Sequence, residues 1–204
     1  MKYTVIAAFV VLALLIALVI KFLKKSQYQK IVLAIQSKNH DAFKELCEDK
    51  MTKFLFPEAH LDTLRLNEAM LRNYVVDIEK YLEKLDKYKL SEKDKEKIYS
   101  QAYNYYLSVK DTVRCKKWYE KIQGLKNDRL KAEVDKSYNI YIEKGYKYLE
   151  DMLSDLEDME PQNRGVNEFL ISLMYENKGD HKNAKVYKKL AEEHMKMFDE
   201  QNSK

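Results

Sequence analysis

Residues 175–187 read YENKGDHKNAKVY, and the glycine at their centre decides how the chain is folded. Only four glycines occur in 204 residues, so one set inside a polar, lysine-rich run marks a break. On either side, over 166–178 and 181–200, apolar residues recur at the spacing of a helix with one buried face. Gly179 therefore sits at a turn between two helices, where a residue free of Cβ strain is favoured. Tyr175 stands four residues before it, and the phrase returns 34 residues upstream, where YIEKG places Tyr141 four before Gly145. Asp111 lies another 34 upstream, four after Leu107. Helix, turn and helix recurring with that period predict stacked helical hairpins, in which an aromatic one turn before the glycine plugs the space between the pair.

Helical periodicity extends outward from there over most of the chain. One segment is expected over 27–49, with Ile31, Ile35, Phe43 and Leu46 as apolar marks. Pro57 interrupts, and a long amphipathic helix follows over 60–88, marked by Leu64, Leu71, Val75, Ile78, Leu82 and Leu85. SEKD at Ser91 has the form of a capping box and opens a helix to about 109. Further helices are expected over 112–123, ending at Gly124, then over 128–144 and 146–159, with Pro161 and Gly165 marking the longest break. Turn dipeptides such as Asn-Gly are missing and β-branched runs are confined to the N-terminus, so the fold class is all-α.

At the repeated phrase the chain resembles the tetratricopeptide-repeat family. The last unit carries the likeness: Ser172 at the small position where two helices touch, Tyr175 at the aromatic position, Gly179 and Asp180 at the turn, and Ala184, Tyr187 and Ala191 on the second helix. The unit before it keeps Tyr141 and Gly145 but has Glu150 where a small residue belongs and Tyr138 at the close-contact position. The first, YSQAYNYYLSVKDTVRCKKWYEKI, retains only the helix-turn-helix rhythm, so the resemblance covers residues 97–198. It implies a concave surface lined by the first helix of each pair, on which such proteins bind peptides or helices of other proteins. In that register Ile98, Gln101, Tyr105, Asp135, Asn139, Phe169 and Leu173 would face the partner. Gln101, Asp135 and Phe169 stand where one variant of the family clamps a C-terminal carboxylate with basic and amide groups, so that mode is not implied.

The N-terminus carries a different signal. Residues 4–20, TVIAAFVVLALLIALVI, hold no charge in 17 positions. As a helix they reach about 26 Å, close to a bilayer's hydrocarbon core once Lys21 snorkels and Phe22 and Leu23 are added. A cleaved signal would have a shorter apolar stretch and a small-residue cleavage site, whereas Val19, Ile20, Phe22 and Leu23 crowd that place. An uncleaved single-pass anchor over 1–25 is expected, followed by a helical collar or degenerate repeats over 26–90 and tetratricopeptide-like repeats over 91–204. Lys21, Lys24, Lys25 and Lys30 follow the span, against Lys2 before it, which predicts a cytoplasmic C-terminal part.

Charge and motif content narrow the function. Setting aside Lys2, Lys21, Lys24 and Lys25 from the 37 basic residues leaves 33 against 33 acidic ones, so the remainder is neutral and no basic stripe marks a nucleic-acid binder. Cys47 and Cys115 sit in apolar helical settings as buried thiols. His40, His60, His181 and His194 lack metal-ligand spacing and are expected at the surface. No phosphate loop, nucleophile elbow or calcium loop occurs, so neither catalysis, a cofactor nor a small-molecule substrate is expected. The expected function is a membrane-anchored scaffold or adaptor that binds another protein; an exported, membrane-tethered assembly factor of chaperone type is the alternative.

Overall fold

Four turns of one kind set the element order. At Lys38, Asn73, Lys110 and Gly179 the backbone is left-handed, with φ of 54, 54, 59 and 82°. The next N–H then donates to the carbonyl five residues back: Asn39 to Ala34, Tyr74 to Ala69, Asp111 to Tyr106 and Asp180 to Tyr175, all at 2.9–3.0 Å. This closure satisfies carbonyls that a helix end leaves without partners. In three of the four turns the same residue then caps the following helix, with Asn39, Asp111 and Asp180 accepting from the N–H of Ala42, Arg114 and Asn183.

The computed structural model describes residues 2–202, with side chains described over 11–199. Among them are eleven α-helices packed as antiparallel neighbours, in one unit ending at Leu90 and another beginning at Ser91. The first unit holds α1 (Lys2–Gln36), α2 (His40–Glu48), α3 (Lys50–Leu55), α4 (Glu58–Leu71) and α5 (Val75–Lys87). Its core gathers Ile31, Ala34, Phe43, Cys47, Leu61 and Leu64, with Ile78, Leu82 and Leu85 buried on α5. The second unit holds α6 (Glu92–Ser108), α7 (Thr112–Gln123), α8 (Asp128–Tyr141), α9 (Leu149–Glu157), α10 (Pro161–Lys178) and α11 (His181–Asn202). Ile140, Leu149, Met152, Leu156, Ile171 and Met174 form one of its core clusters, while Tyr103, Tyr106, Trp118 and Ile122 are buried on α6 and α7.

Several expectations need correcting. The segments 27–49 and 60–88 are not continuous helices: Lys38 and Asn73 break them by taking up the left-handed turn, at about 1–2 kcal/mol for the lysine and less for the asparagine. The break expected at Pro161 and Gly165 is confined to 158–160, between α9 and α10. Pro161 opens α10 at its first position, where its missing N–H is no loss, and Gly165 lies within the helix. A Cβ on Gly165 would stand 2.8 Å from Met195 Cγ and 3.2 Å from the Ala191 carbonyl oxygen, so this glycine lets α10 and α11 approach.

The two glycine phrases also differ. Gly145 is not left-handed; Lys144 is, with φ of 55°. The helix before it ends at Tyr141, whereas Tyr175 lies inside α10 and stacks on Tyr187 at 5.5 Å between centroids. Tyr138 does for α8 what Tyr175 does for α10: its carbonyl accepts from the N–H of Glu143, five residues on, and its ring stacks on Tyr119 at 4.1 Å.

The apolar N-terminal run falls on α1. Side chains of residues 4–10 lie outside the described residues, and among the described residues no helix is long and apolar enough to cross a membrane. From Val11 to Val19 each side chain is exposed, on every face of the helix. Gln27 is the first described buried residue of α1.

Candidate partner-binding surface

First helices of successive pairs touch in the second unit, and long side chains register them. Tyr103 on α6 meets Ser137 on α8 at 2.7 Å between hydroxyls and donates to the Val134 carbonyl at 3.4 Å. Asn177 on α10 donates to the Ile140 carbonyl at 2.9 Å and the Gly145 carbonyl at 3.0 Å, which ties the α8–α9 connection to the next pair. Burial pushes the Tyr103 hydroxyl above its ordinary range and keeps it a neutral donor.

The seven residues expected to face a partner fall into three groups. Ile98 is buried in the core, and Leu173 is half-buried against the cluster around Ile171. Asp135 and Asn139, one turn apart on α8, are both engaged by the connection that follows. Asp135 accepts from Tyr119 at 2.7 Å, from the Tyr148 hydroxyl, and from Lys147 Nζ at 3.4 Å. Asn139 accepts from the Lys147 N–H at 3.3 Å and donates to Glu143 at 2.9 Å. Gln101 is half-buried, Tyr105 packs edge-on against Tyr106 at 5.1 Å, and Phe169 is exposed on α10.

Electrostatics around Asp135 follow from these bonds. The hydroxyls of Tyr148 and Tyr119 hold its carboxyl below the usual carboxylate range. The same bond pushes Tyr119 up, and burial together with Asp135 raises Tyr148. Asp135 is therefore the centre of a charged knot whose acceptors are taken from within the protein.

A second polar centre, in the first unit, escaped the sequence reading. Arg65 on α4 donates to Glu58 at 2.6 Å and Asp62 at 2.8 Å through Nη1, and to Glu48 at 2.9 Å and the Cys47 carbonyl at 3.3 Å through Nη2. Tyr88 donates to the other Asp62 oxygen at 2.9 Å. Burial works against the Arg65 charge, but the bonds to Glu58 and Asp62 outweigh it and hold its proton more tightly than usual. The i to i+3 spacing of Asp62 and Arg65 was the available signal. Burial pushes both thiols up, Cys47 and Cys115 each to about 11, so they remain protonated at neutral pH.

Surface placement holds for His40, His60 and His181, which are exposed, and is corrected for His194. His194 on α11 is largely buried and meets Glu168 of α10 at 2.7 Å; Glu168 is 2% exposed. His40 is exposed and meets Glu68 at 2.5 Å, His181 is exposed, and His60 stacks on Phe56 at 5.3 Å. No group of three or more metal-ligating side chains is placed to hold an ion among the described residues.

Compared with known proteins, the chain matches no protein-family model, no curated protein and no solved structure.

Proposed function

We propose that the chain is a single-pass membrane protein whose tetratricopeptide-like helix pairs form a scaffold for another protein on the cytoplasmic side. The observation that carries the reading is α1: its apolar residues from Val11 to Val19 are exposed on every face, and so is Phe22 beyond them. A helix of this kind has no stripe to bury against its own protein, and a bilayer is the solvent that covers all sides at once. The lysines after it, exposed at Lys21, Lys24, Lys25 and Lys30, favour retention of that end in the cytoplasm. Tethering then raises the effective concentration of the helix pairs around a membrane-bound partner.

Phe169, Tyr105 and Gln101 are the residues to which a partner peptide or helix has access, while Asp135 and Asn139 shape the surface from behind. Two measurements test the reading. Alkaline carbonate should leave the full chain in the membrane fraction; release would overturn the anchor. A cysteine at exposed Lys189 (K189C) should react with an impermeant maleimide only after cells are opened, and labelling of intact cells would favour the exported, envelope-assembly reading. Crosslinking in membranes should capture a partner that F169A captures poorly while helicity is unchanged.

A further inference from the structure

We propose that α3 is a second membrane contact, a short interfacial helix that lies in the headgroup layer beside α1 and prefers anionic lipid. The inference rests on the anchor reading above and adds a site to it. α3 buries Thr52 and Leu55 against the protein and turns the other face outward. That face carries Phe54, 79% exposed, and Met51, 49% exposed, beside Lys50 and Lys53, which are also exposed. A large aromatic left open beside lysines is the pattern of an interfacial contact, with an apolar tip for the acyl boundary and cations for the phosphates.

Its place along α1 supplies the second argument. Gln27 donates to Thr52 at 2.7 Å, and Gln27 is the first described buried residue of α1. The residues α3 packs against thus lie five positions beyond exposed Phe22, about 7–8 Å along the helix. A headgroup layer is on the order of 5–8 Å thick on each side of the hydrocarbon, so an anchor ending near Phe22 sets α3 at headgroup depth. Lys24 and Lys25 are exposed on α1 between Phe22 and that level. The carboxylates beside α3 are already engaged: Glu48 pairs with Lys53 at 2.5 Å, and Asp49 caps α3 by accepting from the Thr52 N–H at 3.0 Å. The Glu48 bond engages Lys53 as well, so the open charge there is that of Lys50 together with Lys24 and Lys25 of α1; it is positive and complementary to phosphatidylserine.

The experiment uses the full chain in vesicles of phosphatidylcholine with or without phosphatidylserine. An environment-sensitive fluorophore is placed at F54C and, separately, at L15C; the buried native thiols stay unlabelled. Doxyl-lipid and aqueous iodide are the quenchers. The L15C probe should be quenched by lipid in both vesicles, and the F54C probe by lipid more strongly when phosphatidylserine is present. In K50E the docked-to-free ratio at F54C should fall about fivefold or more, and 0.5 M salt should act in the same direction. Lipid quenching at Leu15 with iodide quenching at Phe54 would overturn the interfacial role and leave the anchor standing. Protection of Phe54 from both quenchers would assign that face to a protein partner or a second copy, which also overturns the proposal. Loss of lipid quenching at Leu15 would overturn the anchor and this inference with it.

Discussion

YIEKG and YENKG are nearly the same words, yet the chain turns differently at each. At Gly179 the left-handed residue is the glycine, and a Cβ there would meet nothing within 4 Å. At the other phrase Lys144 is left-handed, and a Cβ on Gly145 would meet the Asn139 side chain at 2.3–2.6 Å. One glycine serves backbone freedom; the other serves space. The cause lies outside the phrases. Gly145 donates its N–H to the Asn139 carbonyl and offers its own carbonyl to Asn177, while Asp135 draws in Tyr148 and Lys147. The α8–α9 connection is thus drawn tight by the helices around it, and the α10–α11 turn closes on its own helix end. A short motif specifies a turn only to the extent that tertiary bonds leave it alone.

The largest expected effect breaks the close pairing of α10 with α11. Substitution of Gly165 by valine drives carbon against Met195 N, which a Cβ would approach to 3.0 Å, and against the Ala191 carbonyl, so backbone must yield. G165V should cost about 3 kcal/mol or more, read in urea by the emission of Trp118, the single tryptophan, buried in the second unit. A midpoint equal to the parent's would mean that the two helices are not in contact there.

Next comes the turn itself. G179V places a β-branched residue at φ of 82° in open space, so its whole cost is backbone strain, about 2 kcal/mol. G179N, whose side chain tolerates the left-handed region, should recover more than half of the loss. If both variants melt with the parent, the turn carries no strain.

Much of the second unit was legible because its signals are local. Ser91 caps α6 by accepting from the Asp94 N–H at 3.2 Å, Pro161 stands at a helix start, and Gly179 fits a left-handed turn at no cost. Misread features were of two kinds. Lys38, Lys110 and Lys144 take left-handed conformations that lysine does not announce, and Asn73, a type that tolerates them, stands inside an unbroken apolar pattern, so two helix breaks in the first unit went unseen. Gly165 looked like a breaker because its reason, Met195 some 30 residues away, belongs to packing. The same division governs the surface. The resemblance implied an outward Phe169 and Tyr105, of which Phe169 is exposed and Tyr105 half-buried against Tyr106; which acceptors were already taken, as for Asp135, depends on Tyr119 and Tyr148, whose approach no periodicity encodes.

A smaller effect sharpens the contrast between the glycines. G145A keeps an allowed backbone and loses only the room that Asn139 uses, so it should cost about 1 kcal/mol through the displaced bonds to Lys147 and Glu143. In an N139A background the obstacle is gone, and G145A should cost a few tenths at most. At Gly179 no partner substitution should relieve the penalty, since none touches the missing Cβ. Equal costs of G145A in both backgrounds would show that Asn139 does not set the need for glycine.

The smallest effect, about 1 kcal/mol or less for a carboxylate this open to water, depends on pH. Tyr148 and Tyr119 donate to Asp135 and lower its folded pKa below that of an unfolded aspartate, near 4. The sign follows: the unfolded chain binds the proton first, so the contribution is whole above that value and drains away as pH falls through the folded one. D135N should therefore be less stable than the parent at pH 7, and the two urea midpoints should converge on acidification, more so than for a variant elsewhere on α8. The α10–α11 turn draws no such carboxylate across from a neighbouring pair; its Asp180 is held by Asn183 three residues on, and D180N should shift only the local cap. A gap between D135N and parent that persists unchanged to pH 2 would mean that the tyrosines are held by something other than the carboxylate charge, and the tight connection would need a different cause.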